Sequence, residues 1–130
     1  MRNTALQITH STLFTGDGLR PVHPQTILAG LMTCAPPPGL TGDLATWVKE
    51  AEHGVILVSF GSVITASKMP EEKRLMMLEV FSRLKQRVIW KWEEEMTGLP
   101  DNVMVSSWLP QTSLLAHPNL RVFITPGGPG

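Results

Sequence analysis

One cysteine in 130 residues, Cys34, excludes an internal disulfide and any zinc site built on several cysteines. Nothing nearby in sequence would lower its pKa, so Cys34 reads as a small apolar residue rather than a nucleophile. Net charge is missing too, because eleven basic side chains cancel eleven acidic ones. No long-range field then draws a polyanion or an anionic membrane, and nucleic acid is not an expected partner. His10, His23, His53 and His117 lack ligand spacing, which argues against a metal site. None has a carboxylate that sequence alone can assign to it as a catalytic partner, so no catalytic residue is assigned. No signal-type apolar segment occupies the first thirty residues, and no run approaches the roughly twenty apolar residues that span a bilayer. The chain reads as soluble, with enough length for one core. Repeats and heptads are absent. So is a Gly-x-Gly-x-x-Gly after the first long strand, which weakens a generic dinucleotide-binding reading.

What is present sharpens along the chain. Residues 1–42 are punctuated by Gly16-Asp17-Gly18, Pro21, Pro24 and Pro36-Pro37-Pro38-Gly39, with short strands expected only at Leu6–Ile8 and Thr26–Ala29. The Pro36–Pro38 run reads as a semi-rigid spacer. Asp43–Glu52 has helical spacing, with Leu44, Trp47, Val48 and Ala51 on one face. The unbroken apolar run Val55–Phe60, closed by Gly61, fits a strand covered on both faces. Pro70 suits the first position of a helix whose inner face is Met77, Val80, Phe81 and Leu84, with Lys85 and Arg87 in its last turn. Val88–Trp90, Val103–Val105 and Leu120–Thr125 read as strands, and Gln111–Ala116 as a short helix. This alternation predicts an α/β fold with a Rossmann-like parallel sheet. The segment Lys91–Asn102 is too long for a hairpin and short for a helical crossover, and is expected to mark the reversal of strand order, where ligands sit beyond the strand carboxyl ends.

That rim gathers the candidate binding residues. Alone, Trp108 would read as a core tryptophan; placed directly after a strand and before Pro110, it reads as a face for a planar base. Pro110 would hold Leu109 extended, offering its backbone to a base edge. Gln111, otherwise an ordinary surface glutamine, would reach a ribose hydroxyl at the mouth of its helix. Gly127-Gly128 after a strand suits close backbone approach to phosphate, and Ser62 would either donate to phosphate or cap a turn. Trp108 and the glycines are expected at the ends of neighbouring buried strands. Trp90 and Trp92 are expected to divide between core and surface, and Glu93-Glu94-Glu95 to be a solvated loop charge.

Together these residues resemble the UDP-glycosyltransferases of the UDP-glucuronosyltransferase superfamily. The resemblance runs from Glu52-His53-Gly54-Val55 through Ser59-Phe60-Gly61-Ser62, Leu84–Trp92 and Gly98–Val103. It continues through Trp108-Leu109-Pro110-Gln111 and ends with Leu115–Thr125, about three quarters of the chain. It implies a GT-B fold of two Rossmann-like domains. Residues 1–42 would be the end of the N-terminal domain and a proline-rich linker, and 43–130 part of the UDP-sugar-binding domain. It further implies transfer of glucuronic acid or glucose from a UDP-sugar to a small lipophilic acceptor, with inversion and without a metal or other cofactor. It implies as well that the full-length protein resides at the endoplasmic reticulum membrane. By position, Trp108 would stack on uracil, Leu109 would read its edge and Gln111 would bind ribose. Ser62, Gly127 and Gly128 would lie at the diphosphate. Three positions depart from the family: Gln25 stands for asparagine, Ala29 for glycine, and Pro126 for the histidine that donates to the diphosphate. The acceptor-deprotonating histidine, the sugar-recognising Asp-Gln pair and the membrane anchor are not in these residues, so the chain by itself is expected not to catalyse. The alternative expectation is a non-catalytic homologue that associates with a full-length relative through an exposed sheet edge.

Overall fold

A computed structural model of the chain describes residues 7–9, 21, 23–29, 36–61 and 65–127. The chain divides into two compact units, residues 1–36 and 37–130, with the boundary inside the proline run. In the first unit, β1 (Gln7–Thr9) and β2 (Thr26–Leu28) pair in parallel, Gln7 opposite Thr26. Ala29 falls past the end of β2, and Leu6 and Cys34 lie outside the described residues.

The second unit contains α1 (Gly42–Lys49), β3 (Val55–Val58), α2 (Glu71–Ser82), β4 (Arg87–Lys91), β5 (Val103–Ser106), α3 (Gln111–Leu115) and β6 (Leu120–Ile124). A 3-10 turn at Ala66–Lys68 precedes α2. Its four strands form one parallel sheet in the order β5-β4-β3-β6. This is the Rossmann-like α/β arrangement that the alternating pattern predicts.

Both faces of the sheet are covered, which explains why β3 is apolar at every position. Ile56 and Val58 of β3, with Val88 and Trp90 of β4, pack under Leu78 and Phe81 of α2. Val55, Leu57 and Ile89 point the other way, against Val48 and Ala51 from the α1 side and Leu114 of α3. The α2 crossover thus covers one face of the sheet and the α3 crossover the other.

The strands start on polar ties. The Asn102 carboxamide, just before β5, donates to the carbonyls of Phe81, Leu84 and Gln86 at 2.9–3.2 Å, satisfying acceptors that the end of α2 leaves open. Asn119, just before β6, does the same for Val48 and Lys49 at the end of α1, at 3.0 and 3.2 Å. Arg87, first in β4, lies 5.1 Å over the Trp47 ring and donates to the Trp47 carbonyl.

Several expectations need correction. The order reverses between β5 and β6, not over Lys91–Asn102: β4 and β5 are neighbours running the same way. Their connection contains no helix and covers the α2-side core with the half-buried Met96 and Leu99 instead. β3 ends at Val58, two residues short of Phe60, and β6 at Ile124. α1 stops at Lys49, α3 at Leu115, and Pro70 caps α2 rather than occupying its first turn. α2 ends at Ser82, so Lys85 lies beyond it and Arg87 belongs to β4. Val80 is 53% exposed while Leu78 is buried, because the inner face of α2 is rotated from the expected stripe. Trp90 and Trp92 are both buried, edge to face at 4.8 Å, since residues two apart share one side of an extended chain.

The edge strand β6 contains a feature that periodicity hides. Val55 pairs with Leu120 and Ile56 with Val122, so Arg121 is an extra residue. This bulge lets Leu120 and Phe123, three apart, both pack on the α1 and α3 side. Val122 and Ile124 are left partly exposed on the other face.

Candidate functional site

Four parallel strands send their carboxyl ends to one rim, and the loops after them bear the candidate residues. Trp108 follows β5, Gly61 follows β3 and Gly127 follows β6. β3 and β6 are the adjacent strands at the switch point, where open α/β sheets place their ligands. Trp108 and Gly127, by contrast, follow strands at opposite edges of the sheet, about 14 Å apart at three strand spacings. They are therefore not at neighbouring strand ends, and β6 is largely exposed rather than buried.

The segment after β5 is built to present an indole. Trp108 is 73% exposed, the most exposed large apolar side chain described. Its neighbour Leu109 is buried and packs with Val48, Val55, Leu57, Ile89 and Leu114. Pro110, at φ −72 and ψ 71, makes an inverse γ-turn in which the Gln111 N–H donates to the Leu109 carbonyl at 2.8 Å. The Ser106 hydroxyl donates to the Trp108 carbonyl at 2.6 Å. The indole is thus free while the backbone on both sides of it is tied down. Ser106 escaped the sequence reading, because a serine ending a strand carries no signal of its own. The Leu109 carbonyl keeps one lone pair, and its N–H has no backbone partner among the described residues. Gln111 opens α3, half-buried.

After β6, Gly127 has φ +71, a left-handed conformation that disfavours any side chain, and an added Cβ would meet nothing within 4 Å. Its N–H donates to the Thr125 hydroxyl at 3.3 Å. Pro126 is exposed. Ser62 and Gly128, the other two expected diphosphate residues, lie outside the described residues.

The connection after β3 is held from β4. The Lys91 ammonium donates to the Gly61 carbonyl at 2.8 Å and lies 3.4 Å from the Glu93 carboxylate. The other carboxylate oxygen accepts the Ser67 N–H at 3.1 Å. Burial pushes the Glu93 carboxyl up, but the Ser67 N–H and Lys91 outweigh it and hold it below the usual carboxylate value. Glu93 is thus not the solvated charge expected of an acidic run, whereas Glu94 and Glu95 are exposed.

Two concavities flank this loop. One of about 450 Å³ lies among Trp92, Glu93, Met96, Val105, Ser106 and Ser107. The other, about 280 Å³, lies among Ser67, Met69, Arg74 and Trp92. Neither of these two is lined by Trp108, Gln111 or Gly127. Among the described residues no three His, Cys, Asp or Glu side chains group to hold a metal, and no helix is long and apolar enough to cross a membrane. The His23 and His117 rings each accept a backbone N–H two residues on, from Gln25 and Asn119, which are local turn contacts.

Comparison with known proteins shows what lettering this geometry carries. The family model described as UDP-glucoronosyl and UDP-glucosyl transferase matches residues 8–130. UDP-glycosyltransferase UGT5 of Dactylopius coccus is 36% identical over 130 residues, covering 98% of this chain and 24% of that protein. UDP-glucuronosyltransferase of Pleuronectes platessa is 38% identical over 120 residues, 88% of this chain and 25% of that protein. Among solved structures, the glycotransferase of kitacinnamycin superposes with a TM-score of 0.63 at 23% identity. It covers 95% of this chain and 32% of that one, a likeness of fold. The chain spans about a quarter of the length of the curated relatives it matches. On the extent of the family match and the identity to these relatives, the chain belongs to the UDP-glycosyltransferase family.

Proposed function

We propose that the protein containing these residues transfers glucuronic acid or glucose from a UDP-sugar to a small lipophilic acceptor. The share of this chain is the base, the ribose and part of the diphosphate. The observation that carries the reading is Trp108: a large indole left 73% exposed on the carboxyl rim of a parallel sheet, with Leu109 anchored beneath it. Burying that indole in its own core would stabilise the fold, so its exposure argues for an external partner with a flat face. Family membership supports UDP-sugar as that partner.

In this reading uracil stacks on Trp108, the Leu109 N–H and the free lone pair of its carbonyl meet the uracil edge, and Gln111 bonds a ribose hydroxyl. The diphosphate crosses toward the switch point, where Ser62, Gly127 and Gly128 are proposed to meet it. Pro126 offers that group neither a ring donor nor an N–H. A missing charge-assisted bond costs on the order of 1.5–3 kcal/mol, so UDP affinity is weak. The acceptor hydroxyl is deprotonated by a base outside these residues. Saturation-transfer NMR with UDP, uridine and ADP tests the reading. Uracil protons should receive the strongest transfer, and UDP should outcompete ADP. An equal response to both nucleotides would overturn the uracil assignment.

A second reading has its own observation. β6 has no strand on its outer edge among the described residues, and Val122 and Ile124 beside it are 46% and 39% exposed. Such an edge suits a non-catalytic role in association with a full-length homologue. Co-expression with one, followed by size-exclusion chromatography, separates the readings: co-elution independent of UDP favours association.

A further inference from the structure

We propose that Lys91 and Glu93 are positioning residues for diphosphate binding: a brace that fixes one wall of the switch-point crevice without touching the nucleotide. The inference rests on the UDP reading above and adds residues to it. The crevice lies between the carboxyl ends of β3 and β6, so its β3 wall is the backbone that leaves Val58 toward Gly61. At its start that backbone is tied to β6, the Ser59 N–H donating to the Ile124 carbonyl at 3.0 Å. Beyond it, Gly61 has a 3.4 Å bond from its N–H to the Ser59 hydroxyl, and the shorter bond at Gly61 comes from β4. Lys91 reaches over to the Gly61 carbonyl, and Glu93 receives Lys91 on one oxygen and the Ser67 N–H on the other. One ion pair therefore holds the two described flanks of the β3-to-α2 connection, Gly61 and Ser67.

The pairing is partly shielded, with the Lys91 and Glu93 side chains 20% and 26% exposed, so solvent screens it less than a surface pair. Two of the three Lys91 N–H donors go to a carbonyl and a carboxylate, and the carboxylate offsets its charge, which distinguishes a brace from a free cation offered to phosphate. Removing either partner lets Gly61 drift, and a phosphate site built from backbone loses its alignment first. The base platform at Trp108 belongs to a different loop, after β5. The brace should therefore matter for the diphosphate and not for the base.

That split is the test. Titrations of the 130-residue chain with UDP and with uridine, followed by ligand-observed NMR, are compared for wild type, Lys91→Met, Lys91→Arg, Glu93→Gln and Trp108→Ala. Lys91→Met and Glu93→Gln should each weaken UDP roughly three- to tenfold, the scale of one lost charged hydrogen bond, and leave uridine within about twofold. Lys91→Arg should recover most of the UDP affinity. Equal losses for UDP and uridine would mean a general structural role and overturn the proposal, as would no change in either. Tighter UDP binding by Glu93→Gln would also overturn it, because a freed Lys91 would then be a direct phosphate ligand. Trp108→Ala reports separately on the underlying reading: unchanged uridine affinity there removes the base platform, whatever the brace variants do. A wild-type chain that binds UDP no better than uridine removes the diphosphate site and the brace with it.

Discussion

Trp108→Ala and Leu109→Ala alter adjacent residues on one loop, and the structure assigns them opposite consequences. The Trp108 side chain is 73% exposed, so its removal leaves no cavity; folding stability should change by less than about 0.5 kcal/mol. Its stacking on a base is worth about 1–3 kcal/mol, which corresponds to roughly a 5- to 150-fold loss of UDP affinity. Leu109 is 9% exposed and packs against Val48, Val55, Leu57, Ile89 and Leu114. Truncating it deletes buried methyl groups and leaves a void beneath the rim, at a cost of about 2–5 kcal/mol. In a unit of this size that lowers the melting temperature by about 10 °C or more. Thermal melts by circular dichroism, paired with UDP titrations at low temperature, read both quantities on the same samples. A Trp108→Ala variant that melts as low as Leu109→Ala, yet binds UDP like wild type, would refute the assignment of the indole to the ligand.

In the proposed site, where an imidazole at this position would face the diphosphate, Pro126→His should strengthen UDP binding by roughly ten- to a hundredfold while barely changing uridine. The gain should fade as pH rises above about 6.5 if the imidazolium is the donor, and calorimetric titration at several pH values checks this. Gly54→Ala should be strongly destabilising: φ is +85, and the new Cβ would lie 2.5 Å from an Arg121 side-chain carbon and 2.9 Å from the Asn119 carbonyl. A melting temperature within a degree or two of wild type would count against it. Glu93 titrates below its ordinary value of 4.5, so its stabilising contribution is present above that pH and is lost as pH falls through the folded value. Acid unfolding of Glu93→Gln should show a shallower limb in that window.

The central sheet was readable because burial on both sides writes unbroken apolar runs, as in Val55–Val58, and the helices beside it have turn-scale spacing. Strand neighbours were less readable. Nothing in the residues from Lys91 to Asn102 says whether the chain moves on to the next lattice position or doubles back, since that depends on which face a crossover covers. The bulge at Arg121 was invisible for a related reason: one extra residue shifts Leu120 and Phe123 into phase, and spacing alone reads them as opposed. At the rim, Trp108, Leu109 and Gln111 stood out through their aromatic face, proline and amide. Ser106 and Lys91 did not, because their roles consist of reaching backbone carbonyls at Trp108 and Gly61. Glu93 was misread because a run of three acids conceals that only the first turns inward.

The asparagine and arginine ties at the amino ends of the strands divide the molecule mechanically. Asn102, Asn119 and Arg87 fasten the bottom of the sheet to the tails of α1 and α2. Among the described residues, the opposite end is tied by the Lys91–Glu93 pair and by the Ser106 hydroxyl on the Trp108 carbonyl. Loops there can be recut while the foundation stays put, and slow amide exchange should concentrate at the base of β3 and β4 while the upper loops exchange early. Sequence can therefore vary along the rim without loosening the footing that sets the shape.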